Sequence, residues 1–234
     1  MICRFIPKID FETIRNTSTR YYEVRRSGEL IATSWVKDLH VRGLTEKQDR
    51  AGALNFNNNV YHIGPNVRYG SEWPFYDQFN KKIMNFYSEY DEIMVEKKKM
   101  FSKKTFLKKQ FIYYEKVFLN NRTFKVYVLS LGVDGQYYVI KENEKTVSMI
   151  YVHDDMTYFA HELDLYMEND KDVVLLTLLY SFALNMFQFY QTDERIIHGD
   201  SAGKTSWSKS KPYILEKFDP EFIERIKKQE NNNI

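Results

Sequence analysis

Seven lysines between residues 97 and 109, with no acidic residue among them, are the densest group of side chains in this chain that could perform binding chemistry. Met100, Phe101, Phe106 and Leu107 are interleaved with the lysines. Such a mixture suits an anionic membrane surface, near which each basic residue contributes about 1 kcal/mol. The run predicts a site for an anionic phospholipid headgroup or a protein partner; the alternative is a solvated strand face whose lysines promote solubility. The candidate ligand-binding residues are Lys97, Lys98, Lys99, Lys103, Lys104, Lys108 and Lys109.

Residues 199–206 (GDSAGKTS) have the composition of a phosphate-binding loop. A Walker A loop needs four residues between its glycines, and here there are three, Asp200, Ser201 and Ala202. The segment also follows a predicted helix rather than a strand, so the backbone nest that cradles phosphate would not form. We interpret it as a flexible linker and predict no nucleotide cofactor.

Histidine and acidic residues lie close together in sequence at His153, Asp154, Asp155, His161 and Glu162. In the hairpin predicted below, His153 falls in the turn and His161 faces the apolar side of the next strand, so the two side chains lie well apart. A zinc site or a catalytic dyad requires convergent groups that are themselves held by hydrogen bonds. The pattern therefore predicts no metal site.

No nucleophile motif accompanies these residues. Ser130, Ser148 and Ser181 have no histidine nearby in the sequence, and Cys3 lies close to the N-terminus. The sequence thus predicts no catalytic residue and no cofactor. A hydrolase whose site is assembled from distant residues is an alternative that spacing along the chain does not reveal.

The composition is that of an ordinary globular protein, with 234 residues, 43% of them hydrophobic, and a formal net charge of +2. This small charge disfavours a nucleic-acid partner. The single cysteine excludes an internal disulfide framework, and the N-terminus has no apolar signal-peptide core. The charges are nevertheless separated: nine acids lie from residue 142 to residue 172, against two lysines. We expect a basic end and an acidic end.

One long segment, residues 173–192, contains no charged side chain and would span roughly 30 Å as a helix. Its polar residues Thr177, Ser181, Asn185 and Gln188 recur at helical spacing as one narrow stripe. Acidic residues flank both ends, which is not the pattern of a membrane span. We predict a buried helix over 172–191 and a protein that is not an integral membrane protein.

Before this helix the chain reads as an antiparallel meander, with strands near 110–119, 122–130, 136–141, 146–152 and 157–167. A two-residue turn at Asp154-Asp155 would pair Val152 with Thr157, Ile150 with Phe159 and Ser148 with His161. Turns are also expected at 120–121, 134–135 and 142–144. In the N-terminal half, residues 21–35 predict a hairpin around Ser27-Gly28, and residues 57–59 join two short runs.

The segment from residue 71 to residue 90 carries Phe75, Phe79, Ile83, Phe86 and Tyr90 at helical spacing, with a proline early in it. This pattern predicts an inserted helix.

Two stretches, YYVIKENEKTVSMIY and YFAHELDLYMENDKDVVLLTLLYSFALNMF, resemble the tubby C-terminal-like superfamily, in particular its LURP-one-related and scramblase-like proteins. That family has a strand, an acidic turn, a strand and a D-x-x-L-L opening to a hydrophobic helix, which Asp172, Leu175 and Leu176 match. Ser148 stands where a glycine-bearing turn is common in the family. The resemblance implies a sheet closed around the helix, and phosphoinositide binding through basic residues.

We therefore expect a mainly β (α+β) protein: a closed antiparallel β-barrel around a central hydrophobic helix, with additional peripheral helices. Residues 1–197 would form this domain, and residues 198–234 a linker followed by a short amphipathic helix that starts at Asp219-Pro220. The expected function is non-enzymatic binding of an anionic membrane lipid or a protein partner, in the cytoplasm or peripherally at a membrane. The alternatives are an interaction or scaffold protein without a small ligand, and the hydrolase mentioned above. The sequence predicts no oligomeric state.

Overall fold

The computed structural model describes residues 1–8, 19–37, 52–63, 74–98, 105–132, 135–157, 160–191, 202–204 and 208–232. Strands dominate the described chain, and three helices accompany them. The strands are β1 (Ile2–Lys8), β2 (Thr19–Arg26), β3 (Glu29–Lys37), β4 (Gly52–Phe56), β5 (Asn59–Ile63), β6 (Phe75–Tyr76), β7 (Lys82–Lys98), β8 (Thr105–Leu119), β9 (Arg122–Ser130), β10 (Gln136–Glu142), β11 (Lys145–Thr157), β12 (Ala160–Met167) and β13 (Ala202–Lys204). The helices are α1 (Lys171–Gln191), α2 (Pro212–Leu215) and α3 (Pro220–Asn231).

Twelve strands, β1 to β12, form one closed antiparallel barrel. Each strand pairs with its neighbours in the chain, and β1 closes the ring by pairing with β12. Closure pairs both edges of the sheet along the barrel wall; among the described strands the exception is the far half of the β7–β8 hairpin, which extends beyond it. The predicted mainly β class and the closed antiparallel barrel are therefore confirmed.

The tight turns at one end of the barrel, here called the turn end, follow directly from the sequence. Both central residues of each turn have positive φ, a conformation that matches the twist of hairpin strands and that Gly and Asn adopt most readily. The predicted turns at 27–28, 120–121 and 142–144, and the connection at 57–59, are confirmed. Positive φ is found in the turns Ser27-Gly28, Asn57-Asn58, Asn120-Asn121 and Asn143-Glu144.

The predicted helix at 71–90 is wrong over the residues that the structure describes. This part of the chain forms β6, a turn and the first half of β7. The apparent helical stripe depended on Phe79, which is 80% exposed in the turn, and on Tyr90, which is also exposed. β7 forms fifteen residue pairs with β8, from Met84↔Leu119 to Lys98↔Thr105. This pairing stabilises the strand more than the local spacing of aromatic residues favours a helix.

The predicted register of the β11–β12 hairpin is also wrong. Val152 lies opposite Leu163, not Thr157, and β11 continues through Asp154-Asp155 to Thr157 with an irregularity between Val152 and Met156. The observed register differs from the predicted one by six residues, an even number, so the described side chains from 148 to 152 and from 162 to 167 keep their predicted faces. Ile150, Val152, Leu163 and Leu165 are accordingly buried, as predicted.

Helix α1 agrees in its bounds with the predicted 172–191 and begins at the turn end. The Asp170 carboxylate accepts hydrogen bonds from the backbone N–H groups of Asp172 (3.1 Å) and Val173 (3.0 Å), which caps the helix. Within the described residues, no helix is both long and apolar enough to cross a membrane.

Side chains of α1 contact strands in several parts of the barrel. The Thr177 hydroxyl donates to Ser148 of β11 (2.9 Å), and the Phe182 ring lies against Phe75 of β6 (6.1 Å between centroids). The Tyr180 ring contacts Phe86 of β7 (5.8 Å). The four aromatic residues named here belong, with apolar strand residues, to the main hydrophobic core.

The C-terminal segment packs on the opposite face of the sheet. Phe222 and Ile226 of α3 are buried against Leu129, Val139 and Met149, which alternate along their strands with residues of the main core. The Asp219 side chain accepts a hydrogen bond from the N–H of Phe222 (3.0 Å), so the predicted helix start is confirmed.

The predicted linker is not wholly without regular structure. Its residues 202–204 form β13, which pairs with β11. The predicted domain boundary at 197–198 lies outside the described residues.

Candidate functional site

The longest hairpin, β7–β8, extends beyond its pairing with the rest of the barrel. On one side β6 pairs with β7 only at Lys82 and Met84, and on the other side β9 pairs with β8 only from Glu115 to Leu119. Residues 90–98 and 105–113, here called the β7–β8 ribbon, pair with each other over nine residue pairs. At about 3.3 Å per residue the ribbon is roughly 30 Å long.

Four of the seven candidate lysines lie near the tip of this ribbon, at the end of the barrel opposite the turn end. Lys97 faces Phe106 and Lys108 faces Val95 in the register, while Lys98 faces Thr105 and Lys109 faces Met94. The side chains of Lys97, Lys108 and Lys109 are exposed. Lys99, Lys103 and Lys104 lie outside the described residues. The structure thus brings the lysines of two strands together at one projecting tip.

One lysine has partners of its own. The Lys109 ammonium pairs with the carboxylate of Glu92 and lies 5.6 Å from the centroid of the Phe111 ring. Both members of the ion pair are about half exposed, so the pair contributes little to stability. Its effect is to neutralise Glu92; a second acid, Glu96, directly precedes Lys97 in β7.

The ribbon also carries an exposed aromatic cluster that the sequence did not predict. Tyr90 (58% exposed) and Tyr113 (69% exposed) face each other across the strands, and Phe111 lies 5.1 Å from Tyr90 between ring centroids. Met94 and Leu107 extend this cluster toward the tip and are also exposed. Residues 90 and 113 are far apart in the chain and meet only through strand register, so no local signal could have grouped them.

The two faces of the ribbon differ in their surroundings. Nearer the barrel, one face of the hairpin bears Phe86 and Glu115, which contact α1. The aromatic cluster lies on the same face, which we call the α1 side. The other face, the tail side, bears Ile112 and Tyr114, which are buried, and its Gln110 accepts a hydrogen bond from the Tyr213 hydroxyl (3.3 Å).

Salt bridges and hydrogen bonds hold the base of the tail side. The Tyr127 hydroxyl donates to Asp91 (3.3 Å), and the Lys125 ammonium lies 3.1 Å from the same carboxylate. The Tyr114 hydroxyl donates to Glu89 (2.9 Å). These contacts connect β7, β8 and β9 and fix the direction in which the ribbon leaves the barrel.

At the base of the α1 side lies a half-buried carboxylate, Glu115. The Tyr180 hydroxyl of α1 donates to it over 2.6 Å, and burial raises the pKa of this carboxyl above its usual range. Burial, and then the Glu115 charge, raise the pKa of the neighbouring Tyr138 and Tyr180 phenols. The cluster ties the ribbon to the helix.

The histidine and acid cluster singled out in the sequence does not form a metal centre among the described side chains. His153 lies in β11 rather than in the predicted turn, and its Nε2 is 3.0 Å from Asp164 of β12. Arg4 of β1 donates to the same carboxylate (3.2 Å). The arrangement is a cross-strand network of charges. The side chains of Asp154, Asp155 and His161 lie outside the description.

Acidic residues gather at the turn end, far from the lysines. Arg122 donates through Nε and Nη2 to the two oxygens of Glu142 (2.9 and 2.7 Å) and through Nη1 to Asp170 (2.6 Å). The hydrogen bond from Arg122 holds the pKa of Glu142 below its usual range. Asp172 lies 3.4 Å from the same guanidinium. At this end of the barrel acids and bases are therefore interspersed and paired with one another, whereas the tip of the β7–β8 ribbon at the other end carries an excess of lysines.

The fold and this surface define a closed twelve-stranded antiparallel barrel that projects a basic, aromatic ribbon. No family model, curated protein or solved structure matches the chain.

Proposed function

We propose that the protein is a non-enzymatic binding module that attaches to anionic phospholipid surfaces through the lysines of the β7–β8 ribbon. The observation that carries this proposal is the projecting tip, where lysines of two strands converge beyond the paired part of the sheet. A flat or convex array of exposed lysines suits an extended anionic surface better than a small molecule in a closed pocket.

The expected strength follows from the number of lysines. Lys97 and Lys108 at about 1 kcal/mol each amount to about 2 kcal/mol, roughly a thirtyfold gain in partitioning onto an anionic surface, because the charge of Lys109 is offset by Glu92. Because exposed charges are screened over about 10 Å at 0.1 M salt, this binding should weaken as salt is raised.

We further propose that the barrel encloses α1, with α2 and α3 packed on its periphery, as in the tubby C-terminal-like proteins that two stretches of the sequence resemble. The cyclic order of twelve strands and the contacts of Thr177, Tyr180 and Phe182 with strands from different parts of the barrel support this arrangement. In that case α1 supports the fold, and binding belongs to the surface. The proposed location is the cytoplasm, peripherally at a membrane.

The test is vesicle sedimentation with a double charge reversal. We expect wild-type protein to sediment with vesicles of phosphatidylcholine and phosphatidylserine and not with phosphatidylcholine alone. Lys97→Glu combined with Lys108→Glu should weaken this binding about 30-fold or more, because two favourable charges become repulsive. Both side chains are exposed, so folding should be unaffected.

The matched control is Lys81→Glu combined with Lys228→Glu, which makes the same change in net charge away from the ribbon. This variant should bind nearly as well as the wild type. Equal losses in both variants would mean that net charge alone matters. A wild type that ignores anionic vesicles at low salt would contradict the lipid proposal and favour a protein partner.

A further inference from the structure

We infer that the tail side of the β7–β8 ribbon is the face that rests on the anionic phospholipid surface, and that the C-terminal segment takes part in this contact through Lys211. This inference rests on the proposed function and adds to it a defined face, an exposed aromatic ring and a lysine from a distant part of the chain. Lys97, Lys108 and Lys211 would contact lipid phosphates, and Phe106 would lie among the headgroups between them.

The choice of face follows from the charges on the two sides of the ribbon, which the alternation of side chains along paired strands separates. From the level of Ile93 to the tip, the described tail-side residues include no acid. They are Ile93, Val95, Lys97, Phe106, Lys108 and Gln110. Lys97, Phe106 and Lys108 are exposed. The α1 side bears Glu92 and Glu96 over the same length, so its lysines are offset by acids. Charge complementarity therefore selects the tail side for an anionic surface.

The C-terminal segment extends this basic face at the base of the ribbon. The Tyr213 hydroxyl of α2 donates to Gln110 (3.3 Å), and the Tyr213 side chain packs against the cluster that contains Ile112 and Tyr114. The Lys211 ammonium lies 5.9 Å from the centroid of the same Tyr213 ring. Lys211 directly precedes α2, is exposed, and makes no capping hydrogen bond with its side chain. Its charge is therefore accessible to a surface that rests on the tail side.

The acids at the base of the tail side are already bound to lysines. Glu89 lies 3.2 Å from the Lys116 ammonium, and Asp91 lies 3.1 Å from the Lys125 ammonium. Glu216, which follows α2, is exposed and offsets one positive charge. The three lysines of the inferred contact outnumber this acid, so the tail side keeps a net positive charge from α2 to the tip.

The spacing of these groups suits a row of lipid headgroups better than one free phosphate. Lys108 and Phe106 lie two and four residues beyond Gln110, about 7 and 13 Å along the strand. A bilayer presents many phosphates in one plane, so separated lysines can each contact a different one. Phe106 is 47% exposed and lies opposite Lys97 in the register. An exposed apolar ring among lysines is typical of segments that lie at the boundary between headgroups and acyl chains.

The first experiment compares neighbouring lysines on opposite faces. Lys108→Glu and Lys109→Glu make the same change in charge one residue apart, on the tail side and on the α1 side. Lys108→Glu should weaken sedimentation with phosphatidylserine-containing vesicles roughly tenfold, and Lys109→Glu by less than about threefold. Lys211→Glu should also weaken it roughly tenfold, whereas Lys228→Glu on α3 should bind nearly as well as the wild type. All four side chains are exposed, so the variants should fold.

The second experiment places a fluorophore on either face of the tip. In a Cys3→Ala background, an environment-sensitive label at Phe106→Cys should become brighter when anionic vesicles are added and be quenched by brominated lipid. The same label at Leu107→Cys, on the α1 side, should respond much less. Since residues 106 and 107 are both exposed, the labelled proteins should fold.

The outcomes separate the inference from the proposed function. Vesicle binding that is weakened equally by Lys108→Glu and Lys109→Glu, or that is unaffected by Lys211→Glu, would overturn the inference and leave the proposed function standing. Equal responses of the two labels would mean that the tip meets the membrane end-on, and would overturn the inference in the same way. Absence of any binding to anionic vesicles at low salt would overturn both. A response at residue 106 that grows with protein concentration without vesicles would mean that the face binds a second copy of the chain, and would overturn the inference.

Discussion

At the scale of single residues, Glu115 is the most unusual group that the structure describes. It is a carboxyl half-buried beside α1, and it accepts a hydrogen bond from a phenol, that of Tyr180. Burial raises the pKa of this carboxyl because the charged form loses its hydration. The residue therefore weakens the fold when it is ionised.

The sign of the resulting pH dependence can be stated. An acid whose pKa is higher in the folded than in the unfolded state loses stability as the pH rises past the unfolded value. In Glu115→Gln the amide oxygen still accepts from Tyr180, but no charge forms. Chemical denaturation should show this variant to be more stable than wild type at about pH 7.5, with the difference shrinking toward about pH 4.

The control for this prediction is Glu29→Gln, at an exposed glutamate, which should show no such trend. If Glu115→Gln lowered the free energy of unfolding equally at every pH, the carboxylate would be a stabilising partner and the prediction would be wrong.

At the scale of elements, the turns were the easiest features to predict and the segment 71–90 the hardest. The central residues of these turns need positive φ, which Asn and Gly adopt most readily. The turns can therefore be found from a few neighbouring residues of the sequence. Whether 82–90 is a helix or a strand depends instead on β8, whose residues 113–119 form seven pairs with residues 84–90.

A turn can be tested at Asn58, which has a φ of 60°. Asn58→Gly should leave the free energy of unfolding nearly unchanged, because glycine adopts positive φ freely. Asn58→Val should lower it by about 1–2 kcal/mol, because a β-branched residue is strained there. Thermal or urea denaturation of the pair gives the comparison, and an equal effect of both substitutions would mean that the Asn58 side chain, not the backbone, matters.

At the scale of the whole molecule, α1 and the strands share one core, so the helix and the sheet should unfold together. Phe182 shows how close the packing is: a Cβ added at Gly52 would lie 2.8 Å from the Phe182 ring and 2.6 Å from the carbonyl oxygen of Trp35. Phe182 therefore packs closely against β4, near the beginning of the chain, while Thr177 contacts β11, nearer its end.

Phe182→Ala should lower the free energy of unfolding by about 3–5 kcal/mol, through lost burial and the cavity left behind. Phe79→Ala, which removes an equally large ring from an exposed turn, should change it by less than about 0.5 kcal/mol. Urea denaturation followed by far-UV circular dichroism measures both variants. Similar small effects would mean that α1 is not part of the cooperative core.

The sequence by itself determined the features that depend on local pattern: the turns, the strand character of 110–167, the charge-free helix and the lysine run. It also placed Ile150, Val152, Leu163 and Leu165 on one buried face despite a wrong register, because a shift by an even number of residues preserves alternation.

Only the tertiary structure decided what depends on pairing between distant segments. Because of the pairing of β7 with β8, the segment that carries the aromatic stripe is a strand and not a helix. The same register places lysines of two strands at one tip. It also brings Tyr90, Phe111 and Tyr113 together on one face. Residues on different strands become neighbours through backbone hydrogen bonds whose register no local pattern encodes, and the aromatic cluster of the candidate site consists of such neighbours.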